Sequence, residues 1–264
     1  MGKRVLQNPL SLELLAGLLP EGVTPVVFET LPSTSTYLRE QALNGAPVNT
    51  LIAAASQTNG RGRFGRDFFS PPDTGVYFSI LLRPDTGGDT AAWITVAAAI
   101  ASAEACEAVF SVPAEIKWVN DVLVNGQKAV GILAEAFSGG DSVIILGIGA
   151  NIAQPDGGFP PELSQAGAFT SVIKTDEGKR EHFIAETITR LRLLLENDDK
   201  KALVETYRKR VHMTGKTVMV TKGSERFSAT VLGVDDEAYL VIKRDGGEIE
   251  HLSYGEVSLH NENV

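Results

Sequence analysis

Seven consecutive residues, "GRGRFGR" at 60–66, set three arginines and three glycines in one short stretch of a chain whose formal net charge is −9. Guanidinium groups make bidentate contacts with phosphate or carboxylate, and glycines let backbone N–H groups approach the same anion. The chemistry on offer is the grip of a small anion. Gly60, Gly62 and Gly65 also satisfy G-x-G-x-x-G, which binds dinucleotides only between a strand and a helix. "LIAAAS" (51–56) can supply the strand, but "DFFSPPDTG" follows, and two prolines with a glycine cannot open a helix. A turn of that kind also uses bare backbone rather than Arg61, Arg63 and Arg66, so the dinucleotide reading fails. Nucleic acid fits poorly too, because 33 acidic residues stand against 24 basic ones.

Two further stretches could carry chemistry. "KWVND" (117–121) ends in Asp121, and Lys128 follows seven residues later across an Asn125-Gly126 turn, the strongest short hairpin signal. Asp121 and Lys128 can therefore approach across the ladder, either as a plain cross-strand ion pair or as site groups. In "GIGANI" (147–152), Gly147 and Gly149 interrupt an apolar strand, which marks either a ligand's close approach or tight packing. His182, His212, His251 and His260 show no metal-ligand spacing, and no catalytic triad is apparent.

The elements that position these groups follow from periodicity. Residues 10–18 read as a short amphipathic helix, 24–31 as a strand, and "TSTYLREQALNG" as a helix capped within Ser33–Ser35. Residues 76–82 are a strand, and about 91–110 form an alanine-rich buried helix around Cys106. Glu104 and Glu107 break that stretch short of a membrane span. The hairpin 122–137 and the strand 142–152 come next, followed by two helical segments over 181–211. From about residue 213 the period changes to 2, with turns at Lys222-Gly223, Asp235-Asp236 and Gly246-Gly247; five short strands suggest a small barrel. The expected fold is α+β: a mixed β-sheet domain packed with helices over 1–212, then a small all-β domain over 213–264. A single cysteine excludes an internal disulfide, and the composition is that of a soluble cytoplasmic globule without a membrane partner.

Together, Ser33-Thr34-Ser35, Gln57, "GRGRFGR", "KWVND", Lys128-x-x-Gly131-Ile132-Leu133 and "GIGAN" resemble the biotin protein ligases in order and spacing. That family's pattern is S-T-N, Q-x-x-G-R-G-R-x-G-R, K-W-P-N-D, K-x-x-G-I-L and G-x-G-x-N. "SYGEVSLH" is similar to the family's closing strand, so the resemblance spans roughly residues 25 to 260. It implies an SH3-like C-terminal domain and an enzyme that makes biotinyl-5′-AMP from biotin and ATP. The biotinyl group would then pass to a lysine of a biotin carboxyl carrier protein or domain of a biotin-dependent carboxylase.

By the same resemblance, Ser33, Thr34, Ser35 and Gln57 meet the ureido ring. Arg61, Gly62 and Arg63 serve the biotin carboxylate and the phosphates, and Arg66 touches nucleotide or anchors the loop. Lys128 holds first the carboxylate and then the adenylate phosphate, beside Gly131. Trp118, Gly131, Ile132 and Leu133 wall the valeryl chain of biotin, Trp118, Asn120 and Ile132 also belong to the ATP and adenylate site, and Asn151 lies at the adenine. Asp121 guides the acceptor lysine. Magnesium comes with ATP; its ligands are not identified, with Asn120 the only suggestion.

The chain departs from the pattern at Val119 (proline in the family), Ser35 (asparagine) and His260 (arginine). About 24 residues precede the first core strand, too few for the winged helix-turn-helix of repressor members, so no DNA contact is expected. A monomer and a homodimer both remain open. A lipoate-type ligase and a non-catalytic biotin sensor are the competing readings. The hydroxyl-rich Ser33–Ser35 set and the complete arginine loop favour a catalytic biotin ligase.

Overall fold

The computed structural model describes residues 9–83, 90–138, 142–170, 178–197 and 199–259. Its centre is a seven-stranded mixed sheet. In chain order the strands are β1 (Thr24–Leu31), β2 (Thr50–Gln57), β3 (Gly75–Leu82), β4 (Glu115–Lys117), β5 (Asp121–Val124), β6 (Gln127–Ser138) and β7 (Ser142–Asn151). They lie side by side as β1-β2-β3-β7-β6-β5-β4, with β1 and β2 parallel and the other neighbours antiparallel. The interior strands β2 and β3 are buried along nearly their whole length, which explains their unbroken apolar runs.

Helices cover both faces. On one side α2 (Thr34–Leu43) brings Leu38 onto Leu31, Ile52, Leu81 and Ile145. The other side holds α3 (Thr90–Phe110), α4 (Lys179–Glu196) and α5 (Lys200–Arg210), while α1 (Leu12–Leu18) inserts the fully buried Leu15 into the same core. α3 is long and apolar enough to cross a membrane by composition, yet 61% of its most apolar window is buried within the protein. Its two acids are accommodated by ion pairs at the helix surface. Glu104 meets Arg190 of α4 at 2.8 Å, and Glu107 meets Arg210 of α5 at 2.8 Å.

The hairpin forms where its turn residues require it, with Asn125 and Gly126 at φ 52° and 74°. Its register shifts between Val122 and Leu123, so Leu123 faces Lys128 while Asp121 faces Gly131. The extra residue is a bulge that re-aims the side chains near Lys128.

Beyond α5 the strands β8 (Thr217–Lys222), β9 (Glu225–Val234), β10 (Leu240–Arg244), β11 (Ile249–Leu252) and β12 (Glu256–Leu259) form a second, antiparallel sheet in the order β11-β10-β9-β8-β12. The barrel expected from strand spacing is corrected here: the five strands form an open sheet, because β11 and β12 do not pair among the described residues. The long β9 pairs with both β8 and β10, and curvature without closure follows from that arrangement. Contacts between the C-terminal part and what precedes it include Arg208 Nε of α5 to the Val234 carbonyl (2.6 Å) and Trp118 Nε1 to the Ala238 carbonyl (3.1 Å), while the His212 N–H, in the connection between α5 and β8, donates to the Ile116 carbonyl (3.1 Å).

Candidate active site

A cleft of about 380 Å³ opens between the large sheet and the C-terminal sheet. Ser33, Thr34, Ser35, Gln57, Arg61, Gly62, Arg63, Arg66, Trp118, Asn120, Asp121, Lys128, Gly131, Ile132 and Leu133 all line it. Residues scattered over a hundred positions of sequence thus converge on one cavity. Asn151 does not join them: it is buried, and its Nδ2 donates to the Gly167 carbonyl at 3.1 Å. His260 lies outside the described residues.

The inner end of the cleft is a cluster of hydroxyls. Ser33 caps α2 by accepting from the Thr36 N–H at 3.4 Å. Thr34 and Ser35, at the first turn of that helix, are 3% and 6% exposed. Gln57, at the end of β2, accepts the Thr34 N–H on Oε1 at 2.9 Å. Gly147 has no room for a side chain, because a Cβ there would stand 2.6 Å from Ser35 Oγ.

The floor is made by glycines in register. Gly131 of β6 faces Gly149 of β7, and a Cβ on either would lie 2.6 Å from the ring of Phe68. Tight packing is therefore what the paired glycines serve in this state, with an aromatic ring as the packed group. Phe68 was missed from the sequence; its position two residues after the arginine loop was the only available hint.

The arginine loop is folded back on itself. Gly62 N–H donates to the Arg66 carbonyl (2.7 Å) and Phe68 N–H to the Gly60 carbonyl (2.8 Å). Gly60 is obligatory, since a Cβ would stand 2.4 Å from the Phe68 carbonyl oxygen. Phe64, at φ 56°, carries an exposed ring at the tip.

Most of the cations are held by protein carboxylates. Arg61 makes a bidentate contact with Glu135 (3.1 and 3.0 Å), Arg66 pairs with Glu256 of β12, and Lys128 Nζ meets Asp121 Oδ1 at 2.7 Å. Arg63 differs, for its bonds run to neutral acceptors: Asn120 Oδ1 at 3.0 Å and the Gly255 carbonyl at 3.5 Å. Burial pulls its pKa down, opposed by the more distant Asp121 and Glu256. Lys117, also in the cleft, is lowered mainly by burial, with Asp121 opposing. Its place in "KWVND" was visible, but its orientation into the cavity was not.

Other groups fix the 117–121 segment from behind. Tyr207 of α5 donates to the Val119 carbonyl at 3.0 Å, and burial raises that phenol's pKa well above the ordinary range. Asn120 Nδ2 donates to the Ile132 carbonyl at 2.7 Å, so both ends of this amide are committed. Among the described residues no group of three or more His, Cys, Asp or Glu side chains could hold a metal.

A cleft between a helix-covered mixed sheet and a small antiparallel sheet, ringed by cations and backed by hydroxyls, is a site suited to a small anionic ligand. Residues 27–151 match the biotin/lipoate A/B protein ligase family, and residues 214–260 match the biotin protein ligase C-terminal domain. The chain is 32% identical to the bifunctional ligase/repressor BirA of Bacillus subtilis, over 93% of this chain and 79% of that one. It is 29% identical to the biotin--[acetyl-CoA-carboxylase] ligase of Mycobacterium tuberculosis over 85% of each chain. The biotin protein ligase of Aquifex aeolicus, solved with biotin and ATP, superposes with a TM-score of 0.74 at 26% identity, covering 90% of this chain and 98% of that one. The chain belongs to the biotin protein ligase family.

Proposed function

We propose that this protein activates biotin with ATP and transfers the biotinyl group to a lysine of a biotin carboxyl carrier domain, as in acetyl-CoA carboxylase. A biotin carboxylate oxygen attacks the α-phosphorus of ATP, pyrophosphate leaves, and biotinyl-5′-AMP forms. The carrier amine then attacks the acyl carbon, AMP leaves, and the amine loses a proton.

The observation that carries the reading is the set of five cations, Arg61, Arg63, Arg66, Lys117 and Lys128, around one cleft backed by Thr34, Ser35 and Gln57. Bringing a carboxylate to a polyphosphate sets anion against anion, and pre-placed cations offset that repulsion. Arg63 fits the reacting phosphate best, because its charge is half-buried and bonded only to neutral acceptors. Lys128 and Arg61 can exchange their protein carboxylates for the substrate's. The hydroxyls and the Gln57 amide match the ureido ring. Asp121, freed as Lys128 turns to phosphate, then faces the incoming ammonium.

Asn151 serves adenine only indirectly, by fixing the Gly167 backbone near β7. Magnesium is taken to arrive on ATP, held by phosphates and water, since Asn120 Oδ1 is already occupied by Arg63. Residues 1–212 form the ligase domain and residues 213–264 the appended β domain. Incubation with biotin, ATP and magnesium, followed by mass spectrometry, tests this directly. Biotinyl-5′-AMP is the expected product; activation of lipoate instead, or of neither acid, would overturn the assignment.

A further inference from the structure

Behind the hydroxyl cluster lies a residue that does not line the cleft. Ser79 of β3 is fully buried, and its Oγ stands 2.8 Å from Thr34 Oγ1 and 3.0 Å from Ser35 Oγ. Hydroxyl protons are not located by heavy atoms, but here the surrounding bonds determine them. The Thr34 backbone N–H can only donate, so the Gln57 atom it meets at 2.9 Å is the amide oxygen. Thr34 Oγ1 lies 3.2 Å from that same oxygen, and the hydroxyl donates to it. Having spent its single proton there, Thr34 must accept from Ser79. Ser79 has then spent its own proton, so Ser35 must donate to Ser79.

The other end agrees. Ser70 Oγ donates to the Phe68 carbonyl at 2.8 Å, so it accepts from Gln57 Nε2 at 3.0 Å. One uninterrupted series of donors runs from Ser35 through Ser79 and Thr34 to the Gln57 oxygen, and the Gln57 amide continues it to the end of the arginine loop. Bonds aligned head to tail strengthen one another in a low-dielectric interior.

We infer that Ser79 is a positioning residue that sets the donor–acceptor sense of the ring pocket. With their protons turned inward, Ser35 and Thr34 offer only lone pairs to the cleft. A ring bearing N–H groups is accepted, whereas one without such donors leaves those lone pairs unanswered. The serine at position 35 is central to this, because a carboxamide there would carry its own donor and acceptor and would need no such orientation. The inference rests on the biotin reading and deepens it by naming what makes the pocket select a ureido ring.

Ser79→Ala frees the Ser35 proton to turn into the cleft, against the ligand's own N–H. The expected result, read as ATP-dependent pyrophosphate release, is a KM for biotin raised by about tenfold to hundredfold with kcat at saturation kept. Activity with lipoate, whose dithiolane has no donor, should not fall in parallel, so the biotin-to-lipoate ratio drops. Ser79→Cys, with a weak thiol donor of similar shape, should fall between the two. It serves as the measured variant if the alanine protein melts early. Ser35→Ala combined with Ser79→Ala should cost less than the sum of the single changes, since both act through one bond. A folded Ser79 variant with unchanged selectivity, or strictly additive effects, would overturn the inference while leaving the biotin reading intact. A wild-type protein inert towards biotin would instead sink that parent reading.

Discussion

Lys128 and Asp121 illustrate how one contact can be both structural and chemical. Their 2.7 Å pair is the cross-strand bridge that the turn geometry allows, and it lies on the wall of the cleft. The two roles separate on mutation. Lys128→Ala should lower adenylate formation by ~10²–10³ while the melting temperature changes little, because one donor to a developing anion is lost. Pyrophosphate release near the wild-type rate would return Lys128 to a purely structural role. Asp121→Asn should still make adenylate but transfer it slowly, since adenylation gathers negative charge and gains nothing from a carboxylate. Transfer needs a neutral amine from an ammonium of pKa about 10.4, which a carboxylate attracts and can deprotonate. Raising the pH should therefore shrink the deficit. Single-turnover transfer from pre-formed adenylate at two pH values decides; equal loss of both half-reactions with no alkaline rescue would contradict it.

At the scale of elements, the loop 60–66 concentrates like charge that Glu135 and Glu256 offset from two different sheets. Biotin or its adenylate would replace these contacts with a shared anion and order the loop further. Ordering costs roughly 1–2 kcal/mol per residue, so the loop backbone should gain hydrogen-exchange protection only when ligand is bound. Equal protection with and without ligand would rule out this gating. The elements themselves were largely legible in sequence, and for local reasons: alternation marked β8 to β12, Asn125-Gly126 marked the hairpin, and serine capping marked α2. The partners of the site were not. Glu135, Glu256, Phe68 and Ser79 belong to separate strands or loops, and their meeting depends on register and sheet order. Sheet closure failed for the same reason, because strand spacing carries no information about which edges pair. Asn151 followed a motif, yet its amide bonds the Gly167 carbonyl and the residue does not line the cavity.

The whole molecule holds together across a seam, and His212 sits on it. Its Nδ1 lies 2.8 Å from Lys216 Nζ, which can only donate, so the neutral tautomer places its proton on a buried Nε2 that has no partner among the described residues. Burial, and then Lys216, lower its pKa below the usual 6.5. The unfolded chain thus binds this proton more readily than the folded one, so stability is full above about 6.5 and declines as pH falls below it. His212→Gln should flatten the pH dependence of the melting temperature between about 5 and 7 relative to wild type; an unchanged slope would remove His212 as its source. The same seam has a consequence in time. Glu256, which completes the wall against Arg66, is made 190 residues after it. A chain emerging from the ribosome therefore carries the loop and its cations long before it owns a closed cavity. An acyl-adenylate is a reactive acylating agent, indifferent to which amine it meets if released. The wall that would keep that reagent from stray amines is complete only once synthesis has passed β12.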